Sequence, residues 1–352
     1  MPNHMESKFP LYLKHAQQRD VGTGEMRLNP YPLVYNQGPA EAFWSQPRDE
    51  WDWGKHLGVM APMSDHAWIE SQPEVPLSRV LTRLPDHRIR AMEAQRRMEQ
   101  GTRYVENPRR KIATHIVTRG AADVLKAYRS EYDSARSSGK DALAEAKLRE
   151  LQEKERELEN VRWVHEARSY VETSKGFSQD TFPVVKVMVD EVGRFVARTP
   201  EPDAPMYNNY EPENPFDSLR SSKPISTEAG GDFRQFAVDA AFSAMYTLSL
   251  ANCRNITLDE EQGRVQSRQL RKDLGPDGDK DYVYSVINLD RAGAGASAAG
   301  GEGGGRLHFV RGHFKTYTDE NKLMGQHVGT FFWSHHARGD RDNGEVQAHY
   351  EI

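Results

Sequence analysis

The amino-acid sequence predicts an α+β protein, in which a helical N-terminal region is followed by a small C-terminal α+β module with a mostly antiparallel sheet. Three observations lead to this fold class. Residues 79–198 are rich in good helix formers. Residues 199–231 are rich in proline, asparagine and serine and have no apolar period, as expected of a linker. The rest of the chain, 232–352, contains short aromatic and β-branched runs bounded by Gly, Asp and Asn.

The overall composition excludes several classes of protein. The formal net charge is −5, so any attraction to nucleic acid must come from a local basic site. The single cysteine, Cys253, rules out an intrachain disulfide and a cysteine-rich zinc site. The sequence has no apolar run of the length of a membrane span and no secretory leader. We therefore expect a cytoplasmic protein without a membrane partner, in the host cytoplasm if a phage encodes it.

Residues 1–78 are predicted to form an irregular arm that is rich in tryptophan. Prolines, glycines and aromatic residues are frequent there, and periodicity is weak. Two interpretations remain open for its tryptophans: they anchor the arm in the pockets of a partner protein, or they fold back onto the protein's own helices. The residues concerned are Trp44, Trp51, Trp53 and Trp68.

The region 79–198 is predicted to be helical, and its longest helix is expected near residues 140–172. That segment is dominated by Ala, Leu, Glu, Lys and Arg. Leu148, Leu151 and Leu158 fall on one stripe of such a helix. An antiparallel hairpin with the preceding helix, or a homodimer through the 140–172 helix, would bury this stripe. The valine-rich segment 182–198 fits either a helix or a strand.

The C-terminal module, residues 232–352, is predicted to contain one buried helix and about four strands. Its first segment, 232–253, is apolar on almost every side and should therefore be surrounded by other elements. The predicted strands are 282–289, 306–314, 328–335 and 345–352. Between the first two strands, the sequence GAGASAAGGEGGG matches the start of a dinucleotide-binding fingerprint, but no helix follows it, so we interpret it as a connector.

Two groups of basic residues in this module are candidates for binding nucleic acid. In one helix, Arg264, Arg268 and Arg271 would share a face that could follow a phosphate backbone. Further along, Arg311, Lys315 and Arg338 could hold phosphates while Tyr317 and Trp333 stack on bases. A solvated basic face is the alternative for the first group, and strand polar residues tied into internal hydrogen bonds are the alternative for the second.

The histidines of the same segment allow a catalytic interpretation. If residues 306–315 pair with 328–336, His313 comes near His335 or His336. Two imidazoles with nearby cations are the residues that metal-free RNA cleavage requires. The same histidines could instead bind a metal with Asp340 or Asp342, although no recognised metal-binding spacing is present. They could also be strand residues that only make internal hydrogen bonds.

The order of motifs from Phe233 to the C-terminus resembles uncharacterised proteins of tailed phages and related mobile elements. The similarity lies in the sequences LANCRNI, QLRK, YVYSVINL, LHFVRGHFKTYT and VGTFFWSHHARG, in that order. It covers about residues 233–352. The resemblance implies a phage or prophage context but carries no known activity.

Together these observations predict a phage-type accessory protein whose C-terminal module binds nucleic acid, with RNA or single strands favoured. The first alternative is a non-catalytic protein that docks a host or virion protein through its tryptophan arm and long helix. The second is a metal-free ribonuclease. No cofactor or metal is predicted.

Overall fold

The protein is described from a computed structural model. The two longest segments outside the described residues are 74–110 and 199–232. The described residues are 3–19, 26–36, 40, 43–44, 53–73, 111–172, 178–179, 184–198, 233–289, 306–310, 313–333, 336–338 and 340–345. For 306–310, 336–338 and 340–345, only the backbone is described.

Seven α-helices lie in this part of the chain. They are α1 (Met5–Lys8), α2 (Pro10–His15), α3 (Trp53–His56), α4 (Ala121–Ser137), α5 (Asp141–Glu157), α6 (Phe233–Ala251) and α7 (Arg268–Asp273). A short 3₁₀ helix, Gly275–Asp279, follows α7. None of the helices in the described ranges is both long and apolar enough to cross a membrane.

The described chain also forms seventeen strands. The first ten are β1 (Asn3–His4), β2 (Gln17–Arg19), β3 (Met26–Leu28), β4 (Leu33–Tyr35), β5 (His66–Ser71), β6 (Ile112–Gly120), β7 (Trp163–Glu172), β8 (Ser178–Gln179), β9 (Val185–Val189) and β10 (Phe195–Arg198). The others are β11 (Thr257–Arg264), β12 (Asp281–Asn288), β13 (Arg306–Val310), β14 (His313–Tyr317), β15 (Gly329–Trp333), β16 (His336–Arg338) and β17 (Asp340–Glu345).

One mixed sheet of ten strands organises the molecule. Its order is β1–β11–β12–β4–β5–β6–β7–β9–β10, and β8 pairs with β7. Strands β12, β4 and β5 run parallel to one another, whereas β5, β6, β7, β9 and β10 are antiparallel neighbours. Three smaller sheets contain β2–β3, β14–β15 and β16–β13–β17. The main sheet thus combines strands from both ends of the chain.

The back face of the main sheet is covered by α6. Every side chain from Ala237 to Leu250 is buried. The helix packs on alternate residues of the sheet, including Ile69, Ile116 and Val187. The sequence-based expectation of a buried helix is therefore confirmed, and the reason is that the sheet and the β14–β15 hairpin enclose its apolar surface.

The front face is covered at one end by α1 and α2. Phe9 contacts the rings of Tyr35 and Tyr284, and Tyr12 contacts the ring of Trp68. The buried carboxylate of Glu70 fixes the start of α2, because it accepts hydrogen bonds from the backbone N–H groups of Leu11 (2.8 Å) and Tyr12 (3.0 Å). Those N–H groups have no partner inside the helix, so a carboxylate from the sheet satisfies them.

A helical hairpin, α4 and α5, connects the adjacent strands β6 and β7. The two helices pack along each other, and ion pairs join them between Arg129 and Glu155 (2.8 Å) and between Lys147 and Glu131 (2.9 Å). Where the hairpin leaves the sheet, Leu158 is buried with residues of β7 and β9. The interpretation as an antiparallel helical hairpin is confirmed.

The predicted fold class is wrong, because the protein is not a helical region followed by a separate small antiparallel module. Residues 1–78 supply β4 and β5 near the middle of the sheet, and the region 79–198 supplies β6, β7, β9 and β10. The C-terminal strand β12 pairs with β4 in the same sheet. The described parts of the three predicted regions therefore share one sheet and one core, while the predicted linker 199–231 lies outside the described residues.

The long helix predicted for residues 140–172 ends earlier than expected. It stops at Glu157, and 163–172 form the central strand β7. Asn160 has a φ of 66°, a backbone conformation that ends helices and that asparagine tolerates better than most residues. From Val164 to Tyr170 the side chains alternate between the two faces of the sheet; those on the back face are all buried, whereas those on the front face are buried only at the two ends of this run. Residues 140–172 therefore do not form one continuous helix, and dimerisation through their helical part, α5, stays a prediction. The ambiguous segment 182–198 contributes two strands, β9 and β10.

Candidate functional site

The β14–β15 hairpin, residues 313–333, holds most of the described C-terminal candidate residues. Its register places His313 opposite Trp333, Lys315 opposite Phe331 and Tyr317 opposite Gly329. The pairing of 306–315 with 328–336, on which the catalytic interpretation of the histidines depended, is therefore present. The same register continues into β13 and β16, where Val310 lies opposite His336 and His308 opposite Arg338.

One face of the hairpin attaches it to the protein. Phe332 is buried, and its ring lies 5.2 Å from that of Phe314 and 6.2 Å from that of Tyr246 on α6. The chain after α6 also holds the outer edge of β15. The Asn255 side chain donates to the carbonyl of Phe332 (2.6 Å) and accepts from its N–H (2.9 Å). These contacts fix the orientation of the hairpin relative to the main sheet.

Gly329 begins β15 in a backbone conformation that residues with a side chain rarely adopt. Its φ is +121°, and a Cβ placed there would lie 2.8 Å from Nε of Arg254. The backbone N–H of Arg254 donates to the carbonyl of Thr330 (2.9 Å). The glycine of the GTFFW sequence therefore allows the chain after α6 to approach the strand closely.

The opposite face of the hairpin carries aromatic and cationic side chains, and we name it the hairpin face. It consists of His313, Lys315, Tyr317, Phe331 and Trp333. The side chains of His313 and Lys315 are exposed, those of Phe331 and Trp333 are half-buried, and that of Tyr317 is buried. The Lys315 ammonium lies 5.0 Å from the centre of the Tyr317 ring, and the edge of that ring contacts Phe331.

The ring of Tyr317 is buried and packs against its neighbours on this face. It is only 8% exposed, so a base cannot stack on it, in contrast to the prediction. Phe331, which the sequence reasoning did not select, is more accessible and occupies the position next to it. Residues two apart on a strand share a face, and Phe331 and Trp333 are two apart in the aromatic run FFW. This alternation would have identified Phe331 as a neighbour of Trp333 on the same face.

The structure does not bring the proposed catalytic histidines into one group. His336 lies opposite Val310, three positions along the ladder from the His313–Trp333 pair. His335 lies outside the described residues, as does Arg311, and Arg338 is described only as a backbone position opposite His308. The described backbone therefore gives no support for a pair of histidines acting on one phosphate.

The predicted basic helix face does not form as a set of three arginines, because Arg264 belongs to a strand and only the other two belong to a helix. Arg264 ends β11 and makes two hydrogen bonds to Asp281, at 2.7 and 2.8 Å, which compensate its charge. Arg268 and Arg271 lie on the short helix α7, and Arg271 is 3.5 Å from Asp279. A phosphate backbone would have to compete with these carboxylates.

The described tryptophans of the predicted docking arm lie in the core. Trp44 is 0% exposed and Trp68 is 1% exposed, so neither ring can enter a partner's pocket. Trp51 lies outside the described residues, and Trp53 is described only as the first residue of α3. For Trp44 and Trp68, the structure agrees with the simpler interpretation that tryptophans cover the protein's own elements.

A second polar cluster on the front face of the main sheet escaped the sequence analysis. Nδ1 of His66 lies 3.2 Å from Nε2 of His115, on the neighbouring strand. The ring of Tyr31 stacks on both imidazoles, with centroid distances of 5.4 and 4.3 Å. Arg168 of β7 lies directly opposite His115. The two histidines are 49 residues apart, so only the strand pairing reveals that they are neighbours.

His165 is a buried histidine with a structural role. It is 0% exposed; Thr118 lies 2.9 Å from its Nδ1 and the carbonyl of Met60 lies 2.8 Å from its Nε2. Because a carbonyl can only accept, Nε2 carries the proton and Nδ1 accepts from the threonine hydroxyl. Burial lowers the pKa of His165 to about 4, so the imidazole is neutral at neutral pH.

This pKa predicts an acid-dependent loss of stability. A histidine whose pKa is lower in the folded than in the unfolded state destabilises the protein as the pH falls from about 6.5 towards 4. We expect His165→Leu to reduce the free energy of unfolding at pH 7 by about 1–3 kcal/mol, because two polar groups lose their partners. Urea unfolding at pH 4 to 7 should show a shallower pH dependence in the variant; an unchanged slope would contradict the assignment.

No protein-family model, curated protein or solved structure matches this chain. The fold and the exposed face together define a mixed α/β protein, built on one ten-stranded sheet, that carries an aromatic and cationic hairpin on its helix-covered side.

Proposed function

We propose that the protein binds single-stranded nucleic acid, with RNA favoured, through the hairpin face. The observation that carries the proposal is the placement of Phe331 and Trp333 beside the exposed side chains of His313 and Lys315 on one antiparallel ladder. Surfaces that bind single strands combine rings, on which successive bases stack, with cations that contact the phosphates. The resemblance to tailed-phage proteins supplies the phage context of this accessory function.

The flat geometry of the face favours single strands over a duplex. Phe331 and Trp333 are two residues apart on one strand, so their side chains project from the same side of the hairpin. Bases within a duplex are stacked on one another and cannot reach rings placed in this way, whereas unpaired bases can. The net charge of the whole chain is −5, which gives no general attraction to nucleic acid. Binding therefore depends on the basic residues of the hairpin face itself.

Phe331→Ala is expected to weaken the binding of a labelled single-stranded RNA by about 5- to 150-fold, the effect of losing the stacking of one base. Fluorescence anisotropy with poly(U) and mixed-sequence oligonucleotides measures this change, with the matching duplex as a control. Equal affinity of the variant and the wild-type protein for the RNA, or preference for the duplex, would exclude the hairpin face as the binding surface.

Lys315→Gln should change the salt dependence of binding as well as the affinity. Each phosphate contact contributes about 0.7 to the slope of log K against log salt for a single strand, so we expect the slope to fall by about that amount. Lys126→Gln is the matched control, since Lys126 is an exposed lysine on the helical hairpin, away from the hairpin face. Equal slopes for the two variants would contradict a phosphate contact at Lys315.

A further inference from the structure

The front face of the main sheet has an open strip between two covered ends. At one end α2 covers the row of Glu70, Ala113 and Tyr170. At the other end the base of the helical hairpin covers Val164 and Met188. Two rows of side chains cross the sheet between these ends. Their polar members form what we name the histidine strip: His66, His115, Glu166, Arg168 and Lys186.

The charges of the strip favour an anionic ligand. Glu166 lies 3.8 Å from Lys186 and 3.9 Å from Arg119, so its single carboxylate is shared between two cations. Arg168 is exposed and forms no ion pair with any carboxylate in the described part of the chain. An unpaired guanidinium presents a planar set of donors that matches a phosphate group.

The two histidines add hydrogen-bonding capacity beside this guanidinium. Burial, reinforced by His66 and Arg168, lowers the pKa of His115 to about 4. His115 is therefore neutral at physiological pH, and the 3.2 Å contact engages its Nε2 with Nδ1 of His66. The exposed imidazole of His66 retains its Nε2 for a further hydrogen bond.

Tyr31 supplies a flat aromatic surface next to the cations. Its ring is nearly parallel to those of His66, His115 and Trp68, with interplanar angles of 19°, 27° and 5°. All three partners project from the front face of the sheet, so Tyr31 covers them with one side of its ring. Tyr31 is half-buried, so part of its side chain stays accessible beside the strip.

A metal ion fits this cluster less well than an anion. In the described part of the chain, no group of three or more His, Cys, Asp or Glu side chains is arranged to hold a metal. The neighbouring guanidinium of Arg168 would repel a cation, and it already contributes to the low pKa of His115. The same guanidinium attracts a phosphate.

We propose that the histidine strip and Tyr31 form a binding site for a nucleoside monophosphate. Arg168 and His66 contact the phosphate, and the base stacks on the outer side of Tyr31. The site is independent of the hairpin face, because the hairpin is attached to α6 and α6 covers the back of the sheet. Binding at one surface therefore does not require the other.

Titration calorimetry of the full-length protein tests the site with four probes: adenosine and uridine 5′-monophosphate, adenosine, and inorganic orthophosphate. We expect at least one monophosphate to bind with a dissociation constant below about 1 mM. Arg168→Gln should weaken that binding by about tenfold or more, the loss of one charge-assisted contact. Arg149→Gln, an exposed arginine on α5, is the matched control and should bind like the wild type.

Tyr31→Leu separates the two halves of the proposed site. It should weaken binding of the monophosphate but not of orthophosphate, with thermal melting used to confirm that the variant is folded. Four results overturn the proposal: neither monophosphate binds, Arg168→Gln binds as tightly as Arg149→Gln, adenosine binds as tightly as its monophosphate, or folded Tyr31→Leu binds the monophosphate normally. Phe331→Ala, which tests the hairpin face, should leave monophosphate binding unchanged, so the two proposals can fail separately.

Discussion

Replacing Glu70 with alanine is expected to lower the free energy of unfolding by about 3–5 kcal/mol, one of the largest effects of any single change in this protein. The carboxyl group of Glu70 is buried, and its two oxygens accept hydrogen bonds from the N–H groups of Leu11 and Tyr12 and from the indole N–H of Trp68 (3.0 Å). Removing it leaves three buried donors without an acceptor and releases the start of α2 from the sheet.

The ionisation of Glu70 predicts in addition how the free energy of unfolding depends on pH. Burial raises the pKa of Glu70 to about 8, although the three N–H donors act in the opposite direction. The folded state therefore keeps a proton that the unfolded state loses above pH 4.5, and stability falls as the pH rises towards 8. The slope approaches about 1.4 kcal/mol per pH unit at most.

Glu70→Gln isolates the effect of the proton, because glutamine keeps the shape of the side chain but does not titrate. Between pH 6.5 and 8, unfolding by urea should show falling stability for the wild type and a flatter profile for the glutamine variant. His115 and His165 are neutral in the folded state but partly protonated in the unfolded state near pH 6.5. Both proteins carry the same histidine contribution, so the difference between the two profiles reports on Glu70. Parallel profiles of the two proteins would show that Glu70 does not titrate there.

Phe332→Ala is expected to be equally damaging, at about 3–5 kcal/mol, because it opens a cavity where the hairpin meets α6. Phe332 is 5% exposed and packs on Phe314 and Tyr246. Its neighbour Phe331 is half-buried on the other face of the ladder, so Phe331→Ala should cost less than about 1 kcal/mol.

This pair of variants distinguishes attachment of the hairpin from binding by it. Phe332→Ala should reduce stability, measured by chemical unfolding, whereas Phe331→Ala should reduce RNA affinity in a protein of nearly normal stability. If the two substitutions cost the same free energy of unfolding, the assignment of the two faces of β15 is wrong.

Much of the local structure could be predicted from the sequence. The run YVYSVINL became β12, and the two segments around RGHF and GTFFW became the paired strands of the hairpin. The apolar helix α6 and the helical hairpin formed by α4 and α5 were also recognisable. In each of these cases a periodic pattern or a strong local composition lies within one continuous segment, and such patterns fix the type of element.

The errors came from elements whose pattern is short or whose partners are distant. Strand β4 has three residues, and its neighbour β12 follows about 250 residues later, so the Trp-rich segment gave no sign that it belongs in a sheet. Residues 163–172 follow directly on a strong helix, and no polar–apolar alternation marks them, because the buried face of β7 carries the polar residues His165 and Ser169. The predicted α+β division consequently separated segments that the sheet joins.

The sequence by itself therefore determined the strands of the C-terminal segment and which of their aromatic and cationic residues share a face, since alternation along a strand depends only on local order. The pairing of these strands as a hairpin came from the tertiary structure. Only the tertiary structure decided which of those residues are accessible: Tyr317 became buried, Phe331 stayed partly exposed, and Trp44 and Trp68 entered the core. It alone also brought His66, His115 and Arg168 onto neighbouring strands. Burial and proximity depend on the pairing of strands that are remote in sequence, and no local pattern encodes that pairing.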